Sequence, residues 1–208
     1  MRHWPGNLLK IIFVISSSWS EVSVPPQLHI YKTVRAGWFC TLLLVVSVLA
    51  GVPPSTASVE VWYGPDDRPL EQLVQTYDRA KRYIFVAVYG LTSPLTVKAL
   101  VGARKRGVDV RVLTDRPRLN DPKQRTALSA LREAGIPIKI NRHDALMHLK
   151  QVVIDDEVNT NGSMNQTTSG NRYNDERLDV IRDHAITVKA REKFLSLWKD
   201  QERFQNWK

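Results

Sequence analysis

Cysteine is almost absent from this sequence. The 208 residues contain a single cysteine, Cys40, which lies in an apolar stretch near the N-terminus. One cysteine cannot form a disulfide within the chain, and the remainder of the chain has neither a cysteine nucleophile nor a thiolate metal site. Stability must therefore come from a packed core, for which the length and a hydrophobic content of 43% are sufficient.

An apolar run long enough to span a membrane is also missing. The apolar stretch 38–51 is shorter than the ~20 residues that a spanning helix needs, and a basic residue precedes it. Ser55 and Ala57 occupy the −3 and −1 positions of a small-residue cleavage site. We interpret residues 1–58 as a targeting region that is cleaved near Ala57 rather than kept as an anchor. We therefore expect residues 59–208 to form one domain that is exported, either to the periplasm or out of the cell.

Acidic residues are too few to balance the basic ones. The chain has 30 Lys and Arg against 21 Asp and Glu, and its formal net charge is +9. Residues 1–58 contain four basic residues and one acidic residue, so the predicted domain keeps 26 and 20, a net charge of +6. This favours a polyanionic partner, nucleic acid or an anionic lipid surface, although a merely soluble basic protein has the same composition.

Recognised metal-binding patterns are missing as well. The sequence has no H-E-x-x-H segment and no carboxylate triad. A metal site built from His143, His148, Asp155, Asp156 and Glu157 is conceivable, but no ligand spacing supports it. We expect the protein to need no metal and no other cofactor.

What the sequence does contain is an alternation of strands and helices. The predicted segments are strand 59–63, helix 69–82, strand 83–90, helix 94–106, strand 108–115, helix 121–134 and strand 136–140. Shorter strands come next at 149–154, 159–163 and 178–181, and a helix over 183–201 closes the domain. This order predicts an α/β fold with a mixed, largely parallel β-sheet flanked by helices on both faces, to which the later strands add an antiparallel part.

One predicted strand begins with a histidine and a lysine. Side chains two residues apart in a strand point to the same face, so His148 and Lys150 should project together while Leu149 faces the core. Taken singly, each residue could equally be a solvated surface residue. The pair becomes a candidate site only because it belongs to a longer motif.

That motif extends to Asn165. His148, Lys150 and Asp155 form H-x-K-x4-D, and six residues later the sequence continues with Gly162-Ser163-x-Asn165. This motif resembles the signature of the phospholipase D superfamily. The segments "YGLTSPLTVKALVGARKRGVDVRVLTD" and "LREAGIPIKI", and "NDE" at 174–176, add to the resemblance.

The resemblance extends from Val59 to the C-terminal helix. It is strongest to the small, single-motif, exported bacterial endonucleases of the superfamily, whose mitochondrial relative is a cardiolipin hydrolase or nuclease. It implies the sandwich fold of phospholipase D and nuclease domains. Leu149 departs from the family pattern, in which Asn, His or Asp is expected.

The chemistry of the residues fits phosphodiester hydrolysis. The anionic oxygens of a phosphodiester repel nucleophiles, and the Lys150 ammonium and Asn165 amide can neutralise them. A neutral His148 can attack phosphorus and form a phosphohistidine, which splits one difficult step into two. The resemblance implies that Glu176 holds the second ring nitrogen of His148.

Other motif residues have structural or undecided roles. We expect Asp155 to lie at the far end of the strand and to organise a turn, and Gly162 to meet a backbone requirement. Ser163 could either donate to a phosphate or brace Asn165.

The scheme needs a second, protonated histidine to donate a proton to the leaving oxygen. His143 and His184 lack a lysine partner at the right spacing, and the motif occurs once in the chain. We therefore predict a homodimer whose active site lies at the twofold interface and contains His148 from both chains.

The sequence leaves three functions open. The main hypothesis is a metal-independent, nonspecific endonuclease acting on DNA and perhaps RNA. The first alternative is phospholipase D-type hydrolysis of phosphatidylcholine or cardiolipin by the same chemistry. The second is a noncatalytic nucleic-acid-binding module, although such a module would be expected to have lost His148 or Lys150, and this chain retains both.

Overall fold

One eight-stranded sheet runs through residues 56–208, the part of the protein that the computed structural model describes. The apolar stretch 38–51 and the residue at the −3 position, Ser55, lie outside the described residues, so signal cleavage stays a prediction. Within residues 56–208, no helix combines the length and the apolar character that crossing a membrane requires.

The elements occur in the predicted order. The strands are β1 (Ser58–Gly64), β2 (Tyr83–Val88), β3 (Asp109–Thr114), β4 (Ile138–Asn141), β5 (Lys150–Ile154), β6 (Val158–Gly162), β7 (Glu176–Arg182) and β8 (Phe204–Asn206). The helices are α1 (Pro69–Arg79), α2 (Pro94–Lys105), α3 (Pro122–Glu133), α4 (Thr168–Arg172) and α5 (His184–Lys199), and a 3₁₀ turn at Pro117–Asn120 precedes α3. The short helix α4 and the edge strand β8 were not predicted.

The sheet is largely antiparallel, so the expectation of a largely parallel sheet is wrong. The strand order is β1-β7-β6-β5-β2-β3-β4-β8, and only the pairs β2–β3 and β3–β4 are parallel. The error comes mainly from β1. This strand does not join β2, although one helix connects them; it pairs antiparallel with β7, with Trp62 opposite Leu178. Strand order depends on which side chains pack together across the sheet, and sequence order does not reveal it.

Helices cover both faces of the sheet, which confirms that part of the prediction. The central strand β2 is buried along its whole length because its alternate side chains enter two different cores. Ile84, Val86 and Val88 belong to the core beneath α1, α2 and α3. Tyr83, Phe85 and Ala87 belong to the core beneath α5, where the Phe85 ring stacks on Phe194 at 4.8 Å.

Strand directions bring four chain segments to one edge of the sheet. Because β5 is antiparallel to β2 and β6, and β6 is antiparallel to β7, the ends of β2 and β6 meet the starts of β5 and β7. We call this the site edge. The motif residues on these segments therefore come together although they are far apart in the sequence.

Asp155 lies at the opposite edge of the sheet. It forms the β5–β6 hairpin turn with Asp156, and both residues have positive φ (56° and 62°), as a type I′ turn requires. The Asp155 carboxylate accepts backbone N–H groups from Lys81, Arg82 and Tyr83 at 2.7–2.9 Å. The five residues of β5, at about 3.3 Å each, keep it on the order of 15 Å from Lys150.

Candidate active site

The segment that carries His148 is hydrogen-bonded to the residue that follows β2. Tyr89, the residue after β2, donates its backbone N–H to the carbonyl of Leu149 at 3.0 Å. Strand pairing of β5 begins only at Lys150, which lies opposite Val88. His148 is therefore exposed at the site edge, two residues before the strand begins.

His148 and Lys150 lie together at this edge. The Lys150 Nζ is 3.0 Å from each ring nitrogen of His148 and 3.0 Å from its backbone oxygen. The ring of Tyr89 lies 4.9 Å from the His148 ring and 5.4 Å from the Lys150 Nζ, measured to ring centroids. Tyr89 is thus a close neighbour of both groups, and the motif alone gave no sign of it.

Burial lowers the pKa of Lys150 from its ordinary value of 10.5, and the Glu176 carboxylate opposes that shift. An ammonium group that is partly withdrawn from water interacts more strongly with an anionic ligand than an exposed one. Glu176 is therefore an electrostatic partner of Lys150.

Leu149 does not face the core, so that expectation is wrong. Its side chain is 39% exposed, and the core side chain of this segment is Met147. The expectation applied the alternation of side chains in a strand to residues that precede β5. Outside the strand, successive side chains do not alternate between the two faces of the sheet. Leu149 therefore places an apolar side chain at the surface beside His148.

Two buried polar residues hold the irregular segment that leads to His148. Asp115, after β3, accepts the N–H of Met147 at 2.8 Å, and Asn141, at the end of β4, donates to the carbonyl of Ala145 at 2.8 Å. Both side chains are fully buried. Neither residue was predicted, although a polar residue at the end of a buried strand is a signal that the sequence carries.

Asn165 is placed at the site edge by the end of β2. Its Oδ1 accepts the N–H of Gly90 at 2.9 Å, and the next residue, Gln166, donates its own N–H to the Gly90 carbonyl at 2.9 Å. With Oδ1 occupied, the two amide hydrogens on Nδ2 are left to donate to a ligand. This geometry is compatible with the predicted phosphate-binding role.

Gly162 lies at a close approach between β6 and the Arg177 backbone of β7. Its φ of +144° is rarely adopted by other residues, and a Cβ at this position would overlap the carbonyl oxygen of Arg177. Glycine is therefore required just before Ser163.

Ser163 braces Glu176 and not Asn165. The Ser163 hydroxyl donates to the Glu176 carboxylate and accepts the N–H of Arg177 at 3.1 Å. Asn174 donates to the other carboxylate oxygen at 3.4 Å. Across residues 56–208, no hydrogen bond links Glu176 with His148, so the structure brings Glu176 near Lys150 but does not join it to the imidazole.

A cleft of about 840 Å³ opens beside these groups. Asn165, Glu176 and Tyr89 line its end at the site edge, and α2, α3 and the segment around α4 form its walls. Hydroxyl and amide side chains are frequent in the lining: Thr92, Thr126, Thr167, Thr168, Ser169, Asn165 and Asn174. Such groups suit a ligand that offers many hydrogen-bonding atoms.

The residues considered for a metal site do not come together. No cluster of three or more His, Cys, Asp or Glu side chains with metal-binding geometry occurs within residues 56–208. The Asp155 oxygens are occupied by backbone N–H groups, and Asp156 pairs with Arg191 at 2.7 Å. Both lie at the edge of the sheet opposite His148.

The other described histidines lie in structural positions. His184 Nδ1 contacts the carbonyl of Asp156 at 3.1 Å, at the opposite edge of the sheet. The His143 ring packs perpendicular to the Phe204 ring, with 6.0 Å between centroids. Neither is among the contacts of the His148–Lys150 pair.

Comparison with known proteins agrees with the resemblance in the motif. Residues 73–198 match the family described as "Cardiolipin synthase, PLD-like domain". A phospholipase D of Rickettsia prowazekii is 31% identical over 145 residues, which are 69% of this chain and 67% of that protein. A mitochondrial cardiolipin hydrolase of Xenopus laevis is 33% identical over 122 residues, 58% of this chain and 57% of that protein.

A solved structure extends the likeness to the fold. The crystal structure of Nuc from Salmonella typhimurium, a phospholipase D family member, superposes with a TM-score of 0.67 at 28% identity. The match covers 74% of this chain and 99% of that chain. The sequence match and the shared fold lead to the same conclusion: this chain is a hydrolase of the phospholipase D superfamily.

Proposed function

We propose that this protein is a metal-independent phosphodiesterase that cleaves nucleic acid through a phosphohistidine intermediate, as a nonspecific endonuclease on DNA and RNA. The observation that carries the proposal is the placement of the Lys150 Nζ 3.0 Å from the His148 ring, at the sheet edge where Asn165 and Glu176 line a cleft. A nucleophile and the groups that neutralise a phosphate are thereby next to one another.

The reaction proceeds in two displacements. A ring nitrogen of His148 attacks phosphorus while the bond from phosphorus to the leaving oxygen breaks, and a second, protonated imidazole gives its proton to that oxygen. Water then attacks the phosphohistidine, its proton goes to the same imidazole, and His148 is released. The Lys150 ammonium and the free Asn165 amide hydrogens stabilise the charge on the phosphoryl oxygens in both steps.

The second imidazole comes from a second copy of the chain. Within residues 56–208, the other histidines are held at Asp156 and against Phe204, away from the pair. A twofold axis at the site edge would bring His148 and Lys150 of both chains to one phosphate. We therefore propose a homodimer with one shared active site.

The lining of the cleft favours nucleic acid as the substrate. Eight of its side chains, including Tyr89, carry hydroxyl or amide groups, and the lining also contains two cations, Arg118 and Lys123, and two carboxylates, Asp121 and Glu176. Sugars and bases offer many hydrogen-bonding atoms, and the net charge of residues 59–208, +6, favours a polyanion. An acyl chain would leave these polar groups without partners.

Phospholipid is the second candidate, and a different observation favours it. Three large apolar or aromatic side chains near the site edge are exposed: Leu146 (50%), Leu149 (39%) and Tyr173 (74%). Apolar side chains of this kind can enter the interfacial region of a bilayer, while basic residues attract anionic headgroups.

One paired assay distinguishes the two substrates. Purified protein is incubated in EDTA with plasmid DNA and, separately, with phosphatidylcholine or cardiolipin vesicles, and His148→Ala serves as the control. We expect plasmid cleavage that survives EDTA and is lost in His148→Ala. Hydrolysis of lipid without cleavage of DNA would replace the endonuclease by a phospholipase D. Binding to DNA without turnover in either arm would leave a noncatalytic binding module.

We also propose that the domain acts after export, to the periplasm or out of the cell. The proposal rests on the apolar stretch 38–51 and on the small residues Ser55 and Ala57 that come after it. N-terminal sequencing of protein recovered from the periplasm and from the medium tests it. A new N-terminus near residue 58 is expected, and an intact Met1 on the recovered protein would contradict cleavage.

A further inference from the structure

Arg118 places another cation against the ring of Tyr89, which is a neighbour of the His148–Lys150 pair. It lies in the 3₁₀ turn Pro117–Asn120 and lines the cleft together with Asn165. Its guanidinium carbon is 5.4 Å from the centroid of the Tyr89 ring, the same distance as the Lys150 Nζ from that ring. Two cations from distant parts of the sequence therefore pack against one aromatic ring.

Two of the three nitrogens of the Arg118 guanidinium donate no hydrogen bond within residues 56–208. Nη2 donates to Asp121 at 2.9 Å, and Nε is buried without a hydrogen-bond partner. Nη1 likewise has no acceptor among residues 56–208. The side chain is only 28% exposed, so this is not a freely solvated surface arginine. Nε is shielded from solvent, so the N–H groups of Nη1 are the donors that can reach a ligand in the cleft, and charge-assisted donors of this kind bind phosphate oxygens well.

Asp121 holds this guanidinium in place. Its Oδ1 accepts the N–H of Lys123 as the N-cap of α3, and its Oδ2 accepts from Arg118. Because the helix cap fixes the carboxylate, Asp121 orients Arg118 and leaves the opposite side of the guanidinium for a ligand.

We propose that Arg118 forms a second phosphate site, next to the site at Lys150 where the reacting phosphate binds. The protein then prefers ligands with two neighbouring phosphates, as successive nucleotides of one strand provide. This inference rests on the proposed function, and it identifies which feature of a polynucleotide the cleft recognises. A bidentate contact at the second phosphate would fix the register of the strand relative to His148.

The test measures equilibrium binding, so it does not depend on turnover. Thymidine 3′,5′-bisphosphate and thymidine 5′-monophosphate are titrated by calorimetry, in EDTA, into the wild-type protein and into Arg118→Gln. The wild type should bind the bisphosphate about tenfold more tightly than the monophosphate, the contribution of one charge-assisted contact. Arg118→Gln should lose most of that preference, and Arg118→Lys, which keeps the charge without the planar fork, should retain part of it.

Arg104→Gln is the matched control. Arg104 is exposed near the C-terminal end of α2 and does not line the cleft, so this variant should keep the wild-type preference. Equal affinity for the two nucleotides in the wild type, or an undiminished preference in a folded Arg118→Gln, would overturn the second site. Failure of the proposed function would give a different result. A protein that cleaves no nucleic acid, but whose preference for the bisphosphate depends on Arg118, would contradict the endonuclease and still support the second phosphate site.

Discussion

At the scale of single residues, the pKa of Lys150 depends on its burial and on the carboxylate of Glu176. Burial lowers the pKa of this lysine, and the Glu176 carboxylate raises it again. Ser163 and Asn174 hold that carboxylate in position. Glu176 therefore helps to keep Lys150 protonated, a role that the family resemblance alone did not imply.

This arrangement makes a prediction about alkaline pH. Activity that needs the Lys150 ammonium should fall as pH rises, with a midpoint below the ordinary lysine pKa of 10.5. In Glu176→Gln the opposing carboxylate is gone, so the pKa of Lys150 falls further and the midpoint moves to lower pH. The pH dependence of kcat/KM measures this shift.

Glu157→Gln provides the control for that experiment, because Glu157 is exposed at the opposite edge of the sheet. It should leave the alkaline midpoint unchanged. A midpoint that does not move in Glu176→Gln would show that Glu176 does not act on Lys150.

Sequence reasoning predicted the site residues that the structure brings to one edge of the sheet, but not their neighbours. His148, Lys150 and Asn165 belong to one motif with fixed spacing, and Glu176 belongs to the separate "NDE" segment that resembles the family. Tyr89 and Arg118 reach the site only because β2 and the turn before α3 end at the same edge, and neither carries a local signal. Ser163 contacts Glu176, which was not predicted. This contact depends on the close approach of β6 and β7, which the sequence does not reveal.

At the scale of elements, the β5–β6 hairpin connects the motif to the rest of the sheet. Asp155 accepts three backbone N–H groups from the α1–β2 connection, and Asp156 pairs with Arg82 and Arg191. The hairpin therefore fixes β5 against β2, and β5 carries Lys150. Asp155, the last residue of the H-x-K-x4-D motif, therefore has a structural role and lies at the edge of the sheet opposite His148 and Lys150.

Asp155→Asn should lower stability more than catalysis. Asparagine tolerates the positive φ and keeps one acceptor oxygen, but it places an amide donor against the N–H of Lys81. We expect a loss of about 1–3 kcal/mol in the free energy of unfolding, measured by urea denaturation, and little change in kcat below the unfolding transition. Asp144→Asn, in an exposed loop, serves as the comparison. A large loss of kcat at unchanged stability would instead place Asp155 in the reaction.

The order of elements could be predicted because each helix and strand has its own periodicity and caps. The pairing of β1 with β7 could not, because it joins residues more than a hundred positions apart. The position of Leu149 was missed for a related reason: a strand pattern predicts which face a side chain takes only where the backbone is paired, and β5 begins one residue later.

At the scale of the whole molecule, the proposed reaction needs two imidazoles, and residues 56–208 bring only His148 to the site. Mixing wild-type chains with His148→Ala chains should therefore reduce activity more steeply than the wild-type fraction falls, because a heterodimer has only one imidazole. The activity of mixtures refolded together at fixed total protein measures this.

Sedimentation across a dilution series provides the companion measurement. Specific activity should fall over the concentration range in which the dimer dissociates. A monomer that keeps its full specific activity on dilution would contradict the shared site and would place the proton donor elsewhere in the same chain.

The most direct test of the central claim is to trap the covalent intermediate. Protein is mixed with an internally ³²P-labelled oligonucleotide in EDTA, quenched with denaturant at alkaline pH, and digested for mass spectrometry. We predict a labelled peptide whose phosphoryl group is stable to alkali, labile to acid and located on His148, and no label on His148→Ala. Rapid cleavage of the oligonucleotide with no adduct at any quench time, or an adduct on another residue, would contradict the mechanism.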